Sequence, residues 1–366
     1  MPEQKKILHL ITGLGVGGAE MMLLKTIPSL RSTADHRVCA ILGHGPIGEK
    51  LEQSGVPVYY LELQNIFDFG IVLRFKKIIS DFQPNMLVTH LIHADLFGRI
   101  FGRLFGIQKI ICSQRGKLLQ WEFLRIIDRA TKSLVTKYIV QTETAKHELM
   151  DKLRLPEERF VVIPNTIDIQ EYSFDLDKEE KRRELGLSGD DVIITCVSNL
   201  RRGKGHEYLL EAFEGIHTRH PKTKLLIVGD GECRQTLLKQ VSPYNSKSSI
   251  CFLGNRSDVK EILRISDIFI LPTLGEGMSN AIMEAMASSL PIITTDLSEN
   301  RELIENQATG LLIPIKNSSA LYQAISLILD DKILRESLGR NAKVFTEQKF
   351  SSPKVIKKLE NFFESL

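Results

Sequence analysis

Short β-branched apolar runs alternate with helical patterns along this chain, twice over. The first series places strands at 6–11, 37–42, 56–61, 86–90, 109–113, 138–141 and 160–163, with helices predicted at 19–30, 69–82, 94–105, 118–136 and 142–153. The second places strands at 192–198, 224–228, 250–253, 268–271, 292–295 and 310–313, again with helices between them. Strands that are apolar throughout, and are separated by helices, form parallel sheets covered on both faces. At 366 residues the chain exceeds the size at which one core keeps growing, so the two series read as two α/β domains. The division falls at 1–170 and 171–348, with a linker near 165–175 and a charged stretch at 174–184. A closing segment, 349–366, has helical apolar spacing at Val355, Leu359, Phe362 and Phe363. That spacing suits either packing on its own domain or crossing back to the first.

The composition narrows the class. Hydrophobic residues make up 43% and charged residues 25%, as in ordinary globular proteins. A net charge of +3 gives no case for nucleic acid as a partner. The charge is uneven: 12 Lys/Arg face 6 Asp/Glu between Glu62 and Lys137, a mildly basic region. Of five scattered cysteines, Cys39, Cys112, Cys196 and Cys251 lie in apolar runs and read as small buried hydrophobes in a reducing compartment, with no disulfide framework or zinc spacing. No signal-peptide pattern and no run of 18 apolar residues is present, so the expected location is cytoplasmic.

Doubly wound α/β domains bind ligands beyond the C-terminal ends of their strands, so the loops there carry the chemistry. Leu274-Gly-Glu-Gly-Met-Ser-Asn-Ala-Ile-Met-Glu-Ala-Met-Ala287 sets Glu276 in a glycine-flanked turn and Glu284 inside an apolar helix. An acid on the packed side of a helix is costly without a partner. The helix start between the two offers free backbone N–H groups to an anion. Val197-Ser-Asn-Leu-Arg-Arg-Gly-Lys-Gly-His206 puts Arg201, Arg202 and Lys204 after a strand, which suits a diphosphate or else a solvated loop. It is not a Walker A loop. The first loop, Thr12-Gly-Leu-Gly-Val-Gly-Gly-Ala-Glu20, matches G-x-G-x-x-G, but the second strand ends without the ribose-binding acid of a dinucleotide site; Asp35 precedes it. The loop still lets a phosphate approach the backbone, or is a plain tight turn.

Four further motifs carry less. Val228-Gly-Asp-Gly-Glu232 reads as a turn with Asp230 structural, and Phe252-Leu-Gly-Asn-Arg-Ser-Asp258 offers backbone to a base edge. His90, His93 and Asp95 have a spacing that would admit a metal, though a contact to a sugar hydroxyl or a structural role suits the histidines better. Arg99 and Arg103 lie one turn apart on an apolar helix, either as an Arg edge or as a basic-apolar face for a membrane surface.

Together these motifs resemble the retaining glycosyltransferases of family 4. The resemblance rests on Gly17-Gly-Ala-Glu20, Pro164-Asn-Thr-Ile-Asp168 and the block 266–314, above all the E-x7-E pattern Glu276 to Glu284, then Pro291 and Gly310-Leu-Leu-Ile-Pro314. It implies the GT-B fold, two doubly wound Rossmann-like domains facing across a cleft. It also implies sugar transfer from a nucleotide-diphosphate sugar, UDP being commonest, to an acceptor hydroxyl with retention, in polysaccharide, lipopolysaccharide or glycolipid synthesis. Carried over, Glu284 binds the ribose and Glu276 faces the donor sugar. The backbone at Met278, Ser279 and Asn280 meets sugar or phosphate, Lys204 holds the diphosphate, and Gly17 and Gly18 approach it from the first domain.

Two positions depart from the family. Asn199 stands where an Arg is usual, with Arg201 or Arg202 able to supply the charge, and Arg115 stands where a His is frequent. An Arg is no general base near neutral pH, but it can bind a sugar or an anionic acceptor. With Lys204 and an Arg at 201 or 202 to meet the diphosphate charge, the expectation is a metal-independent enzyme with no cofactor beyond its donor substrate. The acceptor, a saccharide or a lipid-linked saccharide, is expected near His93, Arg115, Lys117 and Trp121, with peripheral contact at the inner face of the membrane. An epimerase or hydrolase acting on sugar nucleotides, and a non-catalytic binding protein, remain as alternatives.

Overall fold

The computed structural model describes residues 4–65, 67–114 and 122–366. Two compact units emerge: Met1–Thr166 together with Ser352–Leu366, and Ile167–Ser351. The chain passes between them twice, at adjacent points. The Ile167 N–H donates to the Phe350 carbonyl at 3.0 Å, and the hydroxyls of Thr166 and Ser352 bond at 3.1 Å.

The N-terminal unit holds seven parallel strands: β1 (Lys6–Ile11), β2 (Asp35–Ala40), β3 (Val58–Tyr60), β4 (Met86–His90), β5 (Lys109–Ser113), β6 (Lys137–Val140) and β7 (Phe160–Val162). Their spatial order is β3-β2-β1-β4-β5-β6-β7. Side chains alternate between the two faces, and each face has its own core. Ile7 and Ile11 pack under the helix Gly18–Leu30 and the closing helix Ser352–Glu364, while Leu8 and Leu10 face Phe75 and Ile79 of the helix Gly70–Phe82. The continuous apolar character of the strands follows from this double cover. Val355, Leu359, Phe362 and Phe363 of the closing helix are buried in the N-terminal unit, and Lys5 reaches the carbonyls of Phe363 and Glu364.

The second unit holds six parallel strands: β8 (Val192–Val197), β9 (Thr223–Val228), β10 (Ile250–Gly254), β11 (Ile268–Leu271), β12 (Ile292–Thr295) and β13 (Gly310–Ile313), ordered β10-β9-β8-β11-β12-β13. In both sheets the order reverses beside the first strand, between β1 and β4 and between β8 and β11. Successive connections leave on opposite faces there, which opens a crevice at the C-terminal strand ends.

The structure alters or adds to the sequence reading at several points. The helix predicted over 118–136 is described as Glu122–Thr131, followed by a 3-10 turn at Lys132–Leu134, and residues 115–121 lie outside the described residues. The charged stretch at 174–184 carries a helix, Lys178–Glu184, capped by Asp177 and anchored by charge: buried Lys181 meets Glu184 at 2.8 Å, Asp258 at 2.5 Å and Glu261 at 2.7 Å. Arg99 leaves the basic face proposed for it. It is fully buried and paired with Asp128 at 2.5 Å and Asp95 at 3.5 Å. Cys251 is only half-buried, whereas Cys39, Cys112 and Cys196 are buried; all five cysteines are free thiols.

Three histidines cross the face of the first sheet that lies under the closing helix. His9 Nε2 and His36 Nδ1 are 2.9 Å apart, and His9 Nδ1 and His90 Nε2 are 3.1 Å apart, with Phe363 edge-on to His9 and His36. They occupy diagonal positions on β2, β1 and β4, which share one face of the sheet. Burial, reinforced by the neighbouring rings, holds His9 well below its ordinary value, and burial takes His36 from 6.5 to about 4. Above pH 6.5 both are neutral folded or unfolded. As pH falls from 6.5 towards about 4 the unfolded chain takes up protons that the folded unit refuses, so stability drops. We predict a loss on the order of 3 kcal/mol across that window from His36 alone, read as a falling urea midpoint, and a flatter profile in His36→Gln.

Candidate active site

The loops that flank the reversal point of the second sheet carry most of the residues singled out from sequence. After β8 the chain runs Ser198 to Gly205; after β11 it runs Pro272 to Ser279. Lys204, from the first, forms an ion pair with Glu276, from the second. The two side chains are only 8% and 17% exposed, so the pair is shielded from solvent and more strongly coupled than a surface pair. Thr273 supports it: its hydroxyl donates to the Gly203 carbonyl at 3.2 Å and lies 3.5 Å from the Glu276 carboxylate. The Leu274 N–H donates to the same Gly203 carbonyl at 2.8 Å, tying the loops together through backbone.

Two glycines make this approach possible. Gly205 sits at φ +73, and a Cβ there would lie 1.9 Å from the Pro272 carbonyl oxygen. Gly229, in the turn after β9, sits at φ +126 with the Ser198 carbonyl 2.1 Å from the Cβ position. That turn braces the lysine loop: the Leu200 N–H donates to the Asp230 carbonyl at 3.0 Å, and the Cys233 N–H to Leu200 at 2.8 Å. Asp230 acts there through its backbone. His206, buried at the start of the helix His206–Arg219, shares a 2.9 Å hydrogen bond with the Ser198 hydroxyl. Burial, then the charge of Lys204, lowers His206 to about 4, so it stays neutral at working pH.

Arg201, Arg202 and Asn199 are exposed on the same loop, and neither arginine is paired with a carboxylate among the described residues. The helix Asn280–Ala287 begins beside Glu276. Ser279 caps it, accepting from the Ile282 N–H at 3.4 Å, and Met278 and Ser279 are buried. Glu284 is half-buried on this helix. The second unit therefore brings Lys204, Glu276, Met278, Ser279 and Asn280 together, with Arg201 and Arg202 at the loop surface and Glu284 two turns on. A loop with three cations beside a helix N-terminus can neutralise a diphosphate.

In the N-terminal unit, Gly17 is the N-cap and Gly18 the first residue of the helix after β1; Gly17 is half-buried and Gly18 exposed. Asp35 opens β2 at the opposite end of the strand from this loop and pairs with Arg37 at 2.9 Å, so it cannot serve a ribose held there. Across the reversal point, Leu91 takes φ +67, a sparsely populated backbone for a non-glycine residue, and the helix Ile92–Leu104 starts there with exposed His93 in its first turn. His90, His93 and Asp95 do not converge: His90 faces His9, while Asp95 accepts from Gln114 at 2.5 Å and from Thr89. Burial lifts Asp95 to about 6, against the opposing pull of Arg99. Arg115, Lys117 and Trp121 lie outside the described residues.

The sequence reading missed Thr273 and His206. They adjoin the loop motifs, at a strand end and directly after the Gly-Lys-Gly turn.

Gly205→Ala and Gly203→Ala separate strain from collision. Gly203 has φ +88 but open space at its Cβ position. Its alanine variant should lose about 1–2 kcal/mol, while Gly205→Ala, driven into the Pro272 carbonyl, should lose clearly more and abolish activity. Urea unfolding of the two variants measures the difference.

Two family models match the chain: "Glycosyl transferases group 1" over residues 177–345 and "Glycosyltransferase Family 4" over residues 16–171. The Escherichia coli UDP-Gal:alpha-D-GlcNAc-diphosphoundecaprenol alpha-1,3-galactosyltransferase is 27% identical over 334 residues, covering 87% of this chain and 86% of the relative. The Campylobacter jejuni N-acetylgalactosamine-N,N'-diacetylbacillosaminyl-diphospho-undecaprenol 4-alpha-N-acetylgalactosaminyltransferase is 23% identical over 354 residues, covering 93% and 94%. Among solved structures, Anabaena HepE in complex with UDP and glucose superposes with a TM-score of 0.88 at 21% identity, over 99% of this chain and 100% of that one.

Proposed function

Given that the chain belongs to the glycosyltransferases of family 4 and has their GT-B fold, we propose that it moves a hexosyl or N-acetylhexosaminyl unit from a UDP-sugar to an acceptor hydroxyl with retention. The observation that carries this reading is the shielded Lys204–Glu276 pair at the reversal point, with Arg201 and Arg202 on the same loop and a capped helix N-terminus beside it. In the proposed reaction the bond from the anomeric carbon to the diphosphate oxygen breaks, and the electron pair leaves with the diphosphate. Lys204 and the exposed arginines stabilise that charge, the step that preorganised electrostatics accelerates most. Glu276 faces the sugar ring as it becomes cationic. The acceptor oxygen attacks from the side the diphosphate leaves, and its proton passes to a diphosphate oxygen. Protein cations supply the counter-charge, so we propose turnover without a divalent metal.

The acceptor is proposed to be a saccharide carried on a lipid diphosphate. The named substrates of the E. coli and C. jejuni relatives, both diphospho-undecaprenol-linked, support this class. Among the described residues no helix is long and apolar enough to cross a membrane. Peripheral contact is proposed instead through exposed Phe67, Phe69 and Leu73, which have exposed Lys76 and Lys77 close by in sequence. The protein should pellet with anionic vesicles, and aspartate at Phe67 and Phe69 should return it to the supernatant.

A panel of UDP-, GDP- and ADP-sugars, with and without EDTA, tests the donor. A ligand held at ~100 times its Kd stabilises by about 2.7 kcal/mol. The expected result is a shift with UDP-sugars that EDTA leaves intact; a shift only with added metal rejects the metal-free reading. Glu276→Gln should lower kcat about 100-fold with donor binding retained, whereas Glu284→Gln should weaken UDP about 10-fold. Donor turnover without acceptor at the full rate would instead indicate a hydrolase or epimerase.

A further inference from the structure

Three polar side chains with no part in the functional reading so far are buried where β11 and β12 run out. Thr294 and Thr295 are the last two residues of β12, and Asn300 lies on the helix Ser298–Leu303 that follows it. Buried polar groups are costly unless hydrogen-bonded, and apolar residues of the same shape would fill the space without that cost. What these three supply is direction. The backbone ladder between the strands ends with Leu271 opposite Thr294. The Thr294 hydroxyl donates to the Leu271 carbonyl at 2.7 Å, and the Thr295 hydroxyl reaches past the end of β11 to the Thr273 carbonyl at 2.5 Å. The Asn300 amide donates to the Thr294 hydroxyl at 3.0 Å and to the Thr295 carbonyl at 2.9 Å. A hydroxyl has one hydrogen, so a donor from Asn300 leaves that of Thr294 for Leu271.

Both carbonyls belong to the segment that leaves β11 and enters the loop of Glu276. Thr273, held through its carbonyl, is the residue whose own hydroxyl donates to the Gly203 carbonyl at 3.2 Å and stands 3.5 Å from the Glu276 carboxylate. Gly203 directly precedes Lys204. A buried run of hydrogen bonds therefore leads from Asn300 through Thr295 and Thr273 to the backbone beside Lys204 and to the carboxylate that pairs with it. Packing alone needs only the volumes of these residues; the hydroxyls are a separate feature, aimed at the loop of the proposed diphosphate site.

We propose that Thr294, Thr295 and Asn300 are positioning residues for diphosphate recognition: they fix the path of the chain out of β11, and so hold the Lys204–Glu276 pair where the diphosphate is received. The proposal rests on the assignment of Lys204 to the diphosphate. A loop free to leave this path spreads the ammonium over several positions, and that freedom has to be frozen when the anion binds. A loop already held in place avoids the loss.

The test compares wild type, Thr295→Val, Thr295→Ser, Lys204→Met and the double variant of Thr295→Val with Lys204→Met, by calorimetric titration with UDP and with uridine. Thr295→Val keeps the shape of the side chain and removes the hydroxyl, and the unligated melting temperature checks that the unit stays folded. It should bind UDP about fivefold more weakly and uridine as wild type does, because uridine has no phosphate for the pair to meet. Thr295→Ser, which keeps the hydroxyl, should bind UDP as wild type does. The double variant should bind UDP no more weakly than Lys204→Met alone. If Thr295→Val does not fold, Thr294→Val and Thr294→Ser are read in the same way. Unchanged UDP affinity in Thr295→Val, equal weakening of both ligands, or a Thr295→Ser variant as weak as Thr295→Val overturns the proposal while leaving the donor assignment standing. Wild-type protein that binds UDP no better than uridine overturns the diphosphate role of Lys204, and the proposal with it.

Discussion

A lysine ammonium that is nearly out of reach of water has to be met by a negative charge, and in this protein Glu276 meets it. Much of the second unit's loop architecture follows from that requirement. Lys204 and Glu276 come from loops after β8 and β11, which the sheet order makes neighbours. For the side chains to meet, the loops must approach to backbone distance. That approach needs the missing Cβ of Gly205 against Pro272, and the turn at Gly229 against Ser198. The strand order thus sets where the pair forms, and the glycines set how close the loops come.

The pairing also bears on how a diphosphate would be received. Glu276 supplies the negative charge that a shielded ammonium needs, and it competes with the incoming phosphate for that ammonium. A lysine carries three donors, so it can keep one on the carboxylate and turn the others to phosphate oxygens. The carboxylate then loses part of its counter-charge as the diphosphate draws on the lysine. Its negative potential increases where a sugar ring would develop positive charge. One ion pair can in this way serve both ends of a breaking glycosidic bond, which neither residue suggests when read separately.

What the sequence disclosed depended on whether the interaction was local. Strands at 86–90, 109–113, 268–271, 292–295 and 310–313 were legible to the residue, because apolar runs buried on both faces have sharp ends. The loop residues Lys204, Glu276 and Ser279 were legible because each sits beside glycines at a strand end. Interactions between distant segments were not. Arg99 looked like a surface charge because its partner Asp128 lies on another helix, and nothing in an apolar helical pattern marks a buried cation. Lys181 sits in a run of charges with no local mark of burial, although three carboxylates surround it in the fold.

The three histidines show the same limit from the other side. His9, His36 and His90 lie on three separate strands, and only His9 is a single polar residue in an apolar run. The sheet order β2-β1-β4 joins the three in one hydrogen-bonded row. A neutral imidazole has one donor and one acceptor, so neutral His9 donates to one neighbour and accepts from the other. A proton added to His9 would make both its nitrogens donors beneath Phe363, in a setting with little water to solvate the charge. Burial therefore favours the neutral row. The same burial that lets the closing helix dock on this face thereby ties the integrity of the N-terminal unit to pH.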